Sequence, residues 1–212
     1  MSEQPSDELI SETTRRDTMA HDNQTADHIA AERQRFVEAM SRAATGVTIV
    51  TSNGPSGRFG QTVSAMSSVS ADPPMLLICI NRKSPICTAI QNDRVFAVNV
   101  LRADHRRLAE SFAGRPRRGK SYDFDAFRWD IGVTGSPLLA GSIARFDCTL
   151  EAAYPAGTHQ IFVGNVVLAE AGSGAPLVYA GRGYGELHAF PNRNEAAGWM
   201  MGEDIELERR EL

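Results

Sequence analysis

The sequence predicts an antiparallel β-barrel with a few peripheral helices, and three observations carry that prediction. Short β-branched or alternating runs recur from Val47 to Tyr179. They are separated by clusters of Gly, Pro, Asn and Asp rather than by regular helical crossovers. The chain has 212 residues, 42% of them hydrophobic and 23% charged, which suits one ordinary domain with or without tails.

Met1 to Asp27 offer only Leu9, Ile10 and Met19 as sizeable apolar side chains, too little to offset ordering entropy, so this stretch is predicted to be a flexible polar tail. An amphipathic helix follows, with Ile29, Phe36, Val37, Met40 and Ala44 on one stripe and Gly46 as its stop. Val47–Ser52 is β-branched and reads as a strand, and 53–57 (NGPSG) as a turn. Gln61–Ser70 reads as strand and bend. Asp72-Pro73-Pro74 breaks the chain before the apolar strand Met75–Ile80, and Val95–Leu101 is another. Helices are expected from Ser84-Pro85 to about Asn92 and from Asp104 to Phe112, the second capped by Gly114. Ala144–Ala152 alternates as a half-buried strand, Gln160–Ala169 is apolar on both faces, and Leu177–Tyr179 is a last short strand. Residues 28–187 therefore form the expected domain. Residues 188–212 form a charged extension in which Trp199, Met200 and Met201 could dock.

Several function classes are disfavoured. Lys plus Arg number 22 against 26 for Asp plus Glu, a net charge of −4 that argues against a dedicated nucleic-acid binder. No run approaches the ~18 apolar residues of a membrane span, and the first thirty residues hold no apolar secretory core. Cys79, Cys87 and Cys148 are odd in number and form no CxxC pair, so neither a disulfide framework nor a zinc site is expected and the address is cytosolic by default. HExxH, GxSxG, a P-loop and an intact GxGxxG are all missing. Gly181-Arg182-Gly183-Tyr184-Gly185 has the glycine density of a dinucleotide loop but no βαβ unit around it, and is expected to end a strand.

Three stretches could bind an anionic, ring-bearing ligand. Gly60–Ser70 carries Thr62, Ser64, Ser67, Ser68 and Ser70, hydroxyl donors on a bent strand with accessible amides; an empty Ser-rich edge strand is the alternative. Asn81-Arg82-Lys83-Ser84-Pro85 sets two cations and a capping hydroxyl at a helix N-terminus, the parts of a phosphate site. Arg115, Arg117, Arg118 and Lys120 crowd one loop, where they could meet dinucleotide phosphates or stay solvated. Among five histidines only His159, opening an apolar strand after Ala156-Gly157-Thr158, is placed at a barrel rim.

The segments GRFGQTVSAMSSVSADPP, LLICINRKS, FAVNVL, LAESFAG, FDCTLE and GTHQIFVGNVV closely resemble the short-chain flavin reductases, including the reductase components of two-component flavin-dependent monooxygenases. The likeness spans about Phe36 to Leu187, in the family's order and spacing. It implies a homodimeric split β-barrel that binds FMN or FAD and transfers a hydride from NADH, with NADPH as the other donor. It implies delivery of reduced flavin to a separate oxygenase, such as one hydroxylating aromatic compounds, with no nucleic-acid or membrane partner. By resemblance Thr62, Val63, Ser64, Ala65, Ser67 and Ser68 would line the flavin ring and ribityl chain, and Lys83 and Ser84, next to Asn81, would meet the phosphate. Asn99, Leu101 and Phe112 would lie nearby, and His159 and Tyr184 would face the nicotinamide; Arg118 is added as a dinucleotide contact from its place in the basic loop, not from the resemblance. A flavin-holding protein without a nicotinamide site is the rival on the same barrel; a pyridoxamine-phosphate-type oxidase is the weaker one, since no cluster for its substrate phosphate is visible.

Overall fold

The computed structural model describes residues 27–188. The tail and extension anticipated at the two ends lie outside these residues, apart from Asp27 and His188. Helix α1 covers residues 27–42. Strands β1 (Thr45–Gly46), β2 (Thr48–Gly54), β3 (Gly57–Val63), β4 (Met66–Ala71) and β5 (Pro74–Asn81) follow. Then come α2 (Pro85–Asp93), β6 (Val95–Val100), a 3-10 turn at Ala103–His105 and α3 (Arg106–Phe112). The short β7 (Trp129–Ile131) and β8 (Pro137–Leu139) precede the long β9 (Ala144–Ala156) and β10 (His159–Ala171), and β11 (Leu177–Ala180) and β12 (Gly183–Glu186) close the described chain.

Seven strands form one antiparallel sheet in the order β3-β2-β6-β9-β10-β5-β4. Its two edge strands, β3 and β4, are consecutive in sequence and joined only by Ser64-Ala65, so the sheet must curl until its edges meet there. The amide of Cys79 on β5 donates to the Ala65 carbonyl at 3.1 Å, tying the joint to the sheet. This is the expected antiparallel barrel, with its seam at the hydroxyl-rich stretch.

Two cores flank β2. Val50 points into the barrel with Ile78, Ile80, Phe96, Val98 and Phe162, and α2 closes that space with Ile86, Cys87 and Ile90. Ile49 points the other way, to Leu101, Leu108, Phe112, Leu139 and Leu177 beneath α3 and the small β1-β11-β12 sheet. Burial on both faces is why 47–52 reads as a β-branched run rather than an alternation.

Several elements depart from expectation. Strands β9 and β10 run 13 residues each, longer than their apolar cores, because Gly157 (φ 56°) turns the chain in two residues and main-chain pairing persists into an exposed hairpin tip. The glycine-rich 181–185 stretch does more than end a strand. Gly181 and Arg182, both at positive φ, make the β11–β12 turn. That turn is latched to α1, since the Gly181 amide donates to the Ser41 carbonyl at 2.7 Å and Arg182 pairs with Glu38 at 3.0 Å. Helix α1 is present, but Ile29, Phe36, Val37 and Met40 of its apolar stripe are exposed.

Phe112, expected beside a ligand, is fully buried among the rings of Phe124, Trp129 and Tyr122, with centroids 4.8, 5.7 and 6.4 Å away. It lies under β3, where a Cβ on Gly60 would come 2.5 Å from its ring. Phe112 thus supports the hydroxyl-bearing strand from beneath. Replacing it with Ala should cost about 3–5 kcal/mol, read as a lower urea midpoint at unchanged slope; an unshifted midpoint would assign the support of β3 elsewhere.

Candidate functional site

A cavity of about 430 Å³ opens where the end of β3 meets α3 and the β11–β12 hairpin. Thr62, Val63 and Ser64 form one wall, and Tyr179 and Tyr184, with ring centroids 5.3 Å apart, form another. Arg106, Glu110, Arg115, Arg117 and Arg182 supply its charged lining. The Thr62 hydroxyl donates to the Ala109 carbonyl at 2.8 Å, so it docks β3 onto α3. Ser64 remains exposed. Burial raises the Tyr184 phenol above its ordinary pKa, with Tyr179 and Glu110 acting in the same direction and Arg106 against it. Tyr184 is therefore a neutral hydroxyl donor at ordinary pH. A second cavity of about 360 Å³, which includes Arg118, shares Arg106, Glu110 and Arg117 with the first.

A second group gathers at the N-terminus of α2. Ser84 is the N-cap residue and proline follows it, as the spacing predicts. Its hydroxyl makes no bond to the helix and instead donates to Gln61 Oε1 on β3. The helix amides thus have no side-chain cap, and Arg82 and Lys83 stand exposed before them. Asn81 accepts from the Lys83 amide at 2.9 Å and holds this corner. His159 pairs in register with Asn81, and Arg82 donates to the Thr158 carbonyl at 3.0 Å, so the hairpin tip stands against the same corner. The His159 ring is exposed, with Thr158 Oγ1 2.9 Å from its Nδ1.

The barrel seam links the two groups. Gln61 reaches Ser84 on one side, and Thr62–Ser64 line the cavity on the other. Ala65, Ser67 and Ser68 are exposed along the joint and on edge strand β4. This donor set fits a flavin mononucleotide: uncapped amides and cations for a phosphate, hydroxyls and free main chain along one edge, and tyrosines at one end.

Three expected contacts are corrected. Asn99, Leu101 and Phe112 have no exposed surface. Asn99 spends its amide on the Ile49 carbonyl at 3.1 Å and accepts from the Leu139 amide at 2.7 Å, stapling β2 to β8. Leu101 accepts from Leu177 and donates to Val47 through its main chain, both at 2.9 Å. None of them lines either of the two cavities above. His159 and Tyr184, expected together, belong to different groups within one chain.

Arg106, Glu110, Tyr179 and Arg182 were missed by sequence reasoning. Arg106 and Glu110 sit at i,i+4 on α3 and pair at 3.0 Å, a spacing the sequence does show. Nothing local marks Tyr179 or Arg182. No group of three or more His, Cys, Asp or Glu suited to a metal occurs among the described residues. The buried Cys148 thiol is pushed up to about 12 by desolvation and then by Asp147, which makes it a poor nucleophile.

The model of the flavin reductase like domain matches residues 40–188, and the chain belongs to that family. The chain is 39% identical over 163 residues to the FMN reductase (NADH) RutF of Ancylobacter novellus, covering 76% of this chain and 89% of that protein. It is 41% identical over 158 residues to the protein of the same name from Variovorax paradoxus, covering 74% and 87%. Among solved structures it resembles BorF, the flavin reductase component of a bacterial two-component tryptophan halogenase, with a TM-score of 0.66 and 35% identity over 74% of this chain and 99% of that one. It also resembles Streptomyces globisporus SgcE6 in complex with NAD and FAD fragments, with a TM-score of 0.68 and 29% identity over 77% and 96%.

Proposed function

We propose that this chain is an NADH-dependent flavin reductase that binds FMN along the barrel seam and passes reduced flavin to a separate oxygenase. The observation that carries the reading is the seam itself, where an uncapped helix N-terminus with Lys83 and a free hydroxyl strand lie at one corner. The names of the relatives, FMN reductase (NADH), support the substrate pair. BorF, the flavin reductase component of a two-component tryptophan halogenase, supports a separate partner enzyme that receives the reduced flavin. Aromatic hydroxylation is one reaction that such a partner performs.

Bound flavin supplies the acceptor for a hydride from the nicotinamide, so the protein's task is placement. Lys83 and the α2 amides hold the phosphate by charge-assisted hydrogen bonds. Ser64, Ser67 and Ser68 offer hydroxyls along the strand edge, Tyr184 donates from the cavity, and His159 orients the nicotinamide from the hairpin tip. Asn81 fixes the main chain at that corner, and Ala65 keeps the strand edge low enough for close approach.

We also infer a homodimer. The outer face of β9, β10 and β5 carries Tyr154, Ile161 and Cys79 in one register row, and Ala152, Val163 and Leu77 in the next. Tyr154 is 57% exposed, and the stripe on α1 is open as well. Such apolar surface is what an isologous interface covers. Light scattering should give twice the chain mass of 23.1 kDa; the mass of one chain at micromolar concentration would reject the dimer.

Replacing Lys83 and Ser84 together with Ala should weaken FMN at least tenfold while changing riboflavin, which has no phosphate, by less than threefold, because each charge-assisted bond is worth about 1.5–3 kcal/mol. Equal losses for both ligands, measured by fluorescence quenching, would move the phosphate away from α2.

The parental protein should consume NADH in air, faster when FMN is added; flavin binding without NADH consumption would make it a flavin holder. In stopped-flow absorbance His159→Ala should slow flavin reduction by NADH at least tenfold, since a small misplacement of donor and acceptor costs about a hundredfold. Its FMN affinity and its reduction by dithionite should stay near parental. Parental reduction rates would return His159 to a structural role.

A further inference from the structure

We propose that Glu110 is a positioning residue that holds two arginines back from the ligand, and so sets how loosely the cavity binds the diphosphate of a nicotinamide dinucleotide. The proposal rests on the nicotinamide reading above and deepens it by naming what limits the grip on that ligand.

The cavity beside Tyr184 and the smaller one next to it are lined by six arginines, Arg106, Arg107, Arg115, Arg117, Arg118 and Arg182. Among the described residues Glu110 is the one acidic side chain in either lining, and it belongs to both. It is only 12% exposed and takes Arg106 at 3.0 Å and Arg117 at 3.4 Å. The Arg106 guanidinium in turn lies 6.0 Å from the centre of the Tyr184 ring.

Helix stability does not account for this carboxylate. Glu110 stands in the last turn of α3 and Arg106 is its first residue, so each charge sits at the helix end whose dipole disfavours it. The order is also the poorer one for an i,i+4 pair, which gains more with the acid on the N-terminal side. Nor does the loop after α3 depend on the carboxylate. The Arg115 amide donates to the Glu110 main-chain carbonyl at 3.0 Å, and the Gly114 amide to the Ser111 carbonyl at 3.0 Å. At the far end of the loop the Ser111 hydroxyl donates to the Lys120 carbonyl at 2.8 Å, and the Tyr122 amide to the Ser111 carbonyl at 3.1 Å. What the carboxylate does engage is two guanidinium groups that line both cavities.

A guanidinium offers the same fork of N–H donors to a carboxylate and to a phosphate, so Glu110 and a diphosphate compete for Arg106 and Arg117. A ligand that wins them leaves Glu110 unpaired in a confined wall and close to the phosphate charge, which costs binding. Without the carboxylate, the six arginines would hold a dianion tightly and release it slowly. That is a poor state for an enzyme that must exchange oxidised for reduced dinucleotide at each turnover. Glu110 lowers the affinity and keeps the exchange fast.

The test is calorimetry of NAD+ on the FMN-loaded full chain. Glu110→Gln keeps the size of the side chain and removes its charge, and should bind NAD+ at least tenfold more tightly than the parental protein. Glu110→Ala should show the same tightening, and Glu110→Asp, which keeps the charge, should stay within threefold of the parental affinity. Inorganic pyrophosphate should follow NAD+ in every variant. In steady state the two neutral variants should have a KM for NADH at least tenfold lower, with kcat no higher than parental. A role in merely keeping the arginines in shape predicts the opposite sign. Weaker NAD+ binding or a higher KM in the neutral variants would therefore overturn the proposal, as would unchanged affinity. Tightening of pyrophosphate without tightening of NAD+ would overturn it too, because Glu110 would then not face the dinucleotide. A parental protein that consumes no NADH, with both ligands still tightened in the neutral variants, would overturn the reductase reading and leave the restraint at Glu110 standing.

Discussion

Everything in this molecule hangs on β2 being buried from both sides. Val50 belongs to the barrel interior and Ile49 to the cluster beneath α3, so the strand is the wall common to two cores. Its neighbours inherit their places from that wall. Strand β3 pairs with it from Gly54–Gly57 to Thr48–Val63, and β6 pairs along its other edge. The buried Asn99 binds the main chain of β2 and β8 at once, which satisfies polar groups that burial would otherwise leave costly. The cavity-lining end of β3 is thereby held by packing behind it rather than by its own polar sequence.

The site shows a division of labour that follows from this. Side chains that look functional by position, such as Thr62, Asn99 and Phe112, are spent on support. Thr62 fastens β3 to the Ala109 carbonyl, and Phe112 fills the space that Gly60 leaves. The groups left open are those a flavin and a nicotinamide can use: Ser64, Ser67 and Ser68, Lys83, the α2 amides, Tyr184 and His159. Electron transfer between two cofactors asks for placement more than for acid–base chemistry, and a rigid seam with few committed donors provides placement.

Much of the site was legible locally. Ser84-Pro85 marks a helix start because proline fits the first helical turn and serine the residue before it. GQTVSAMSSVS stands out because so many small hydroxyl residues crowd one short stretch between apolar strands. Other parts were not legible. Arg106 and Glu110 show their i,i+4 spacing, but nothing in the sequence says that Arg117 also pairs with Glu110 or that Arg118 lines one cavity with Arg107. Tyr179 and Tyr184 meet only because Gly181 and Arg182 turn the chain, and α1 steadies that turn from more than a hundred residues away in sequence.

The sequence by itself determined the class of fold, the succession of the main strands along the chain, the helix start at Ser84-Pro85 and the chemistry offered at the seam, because each is written in a local period or a turn residue. Tertiary structure alone decided which of those residues stay open at the seam and the cavity. Burial on two sides took Asn99, Leu101 and Phe112 into the core, and the curl of the sheet brought Gln61 to Ser84. The reversal after α3 assembled an arginine cavity from residues with no pattern in common. These are contacts between segments distant in sequence, and the energy that selects them is the burial of two apolar cores, which no single segment records.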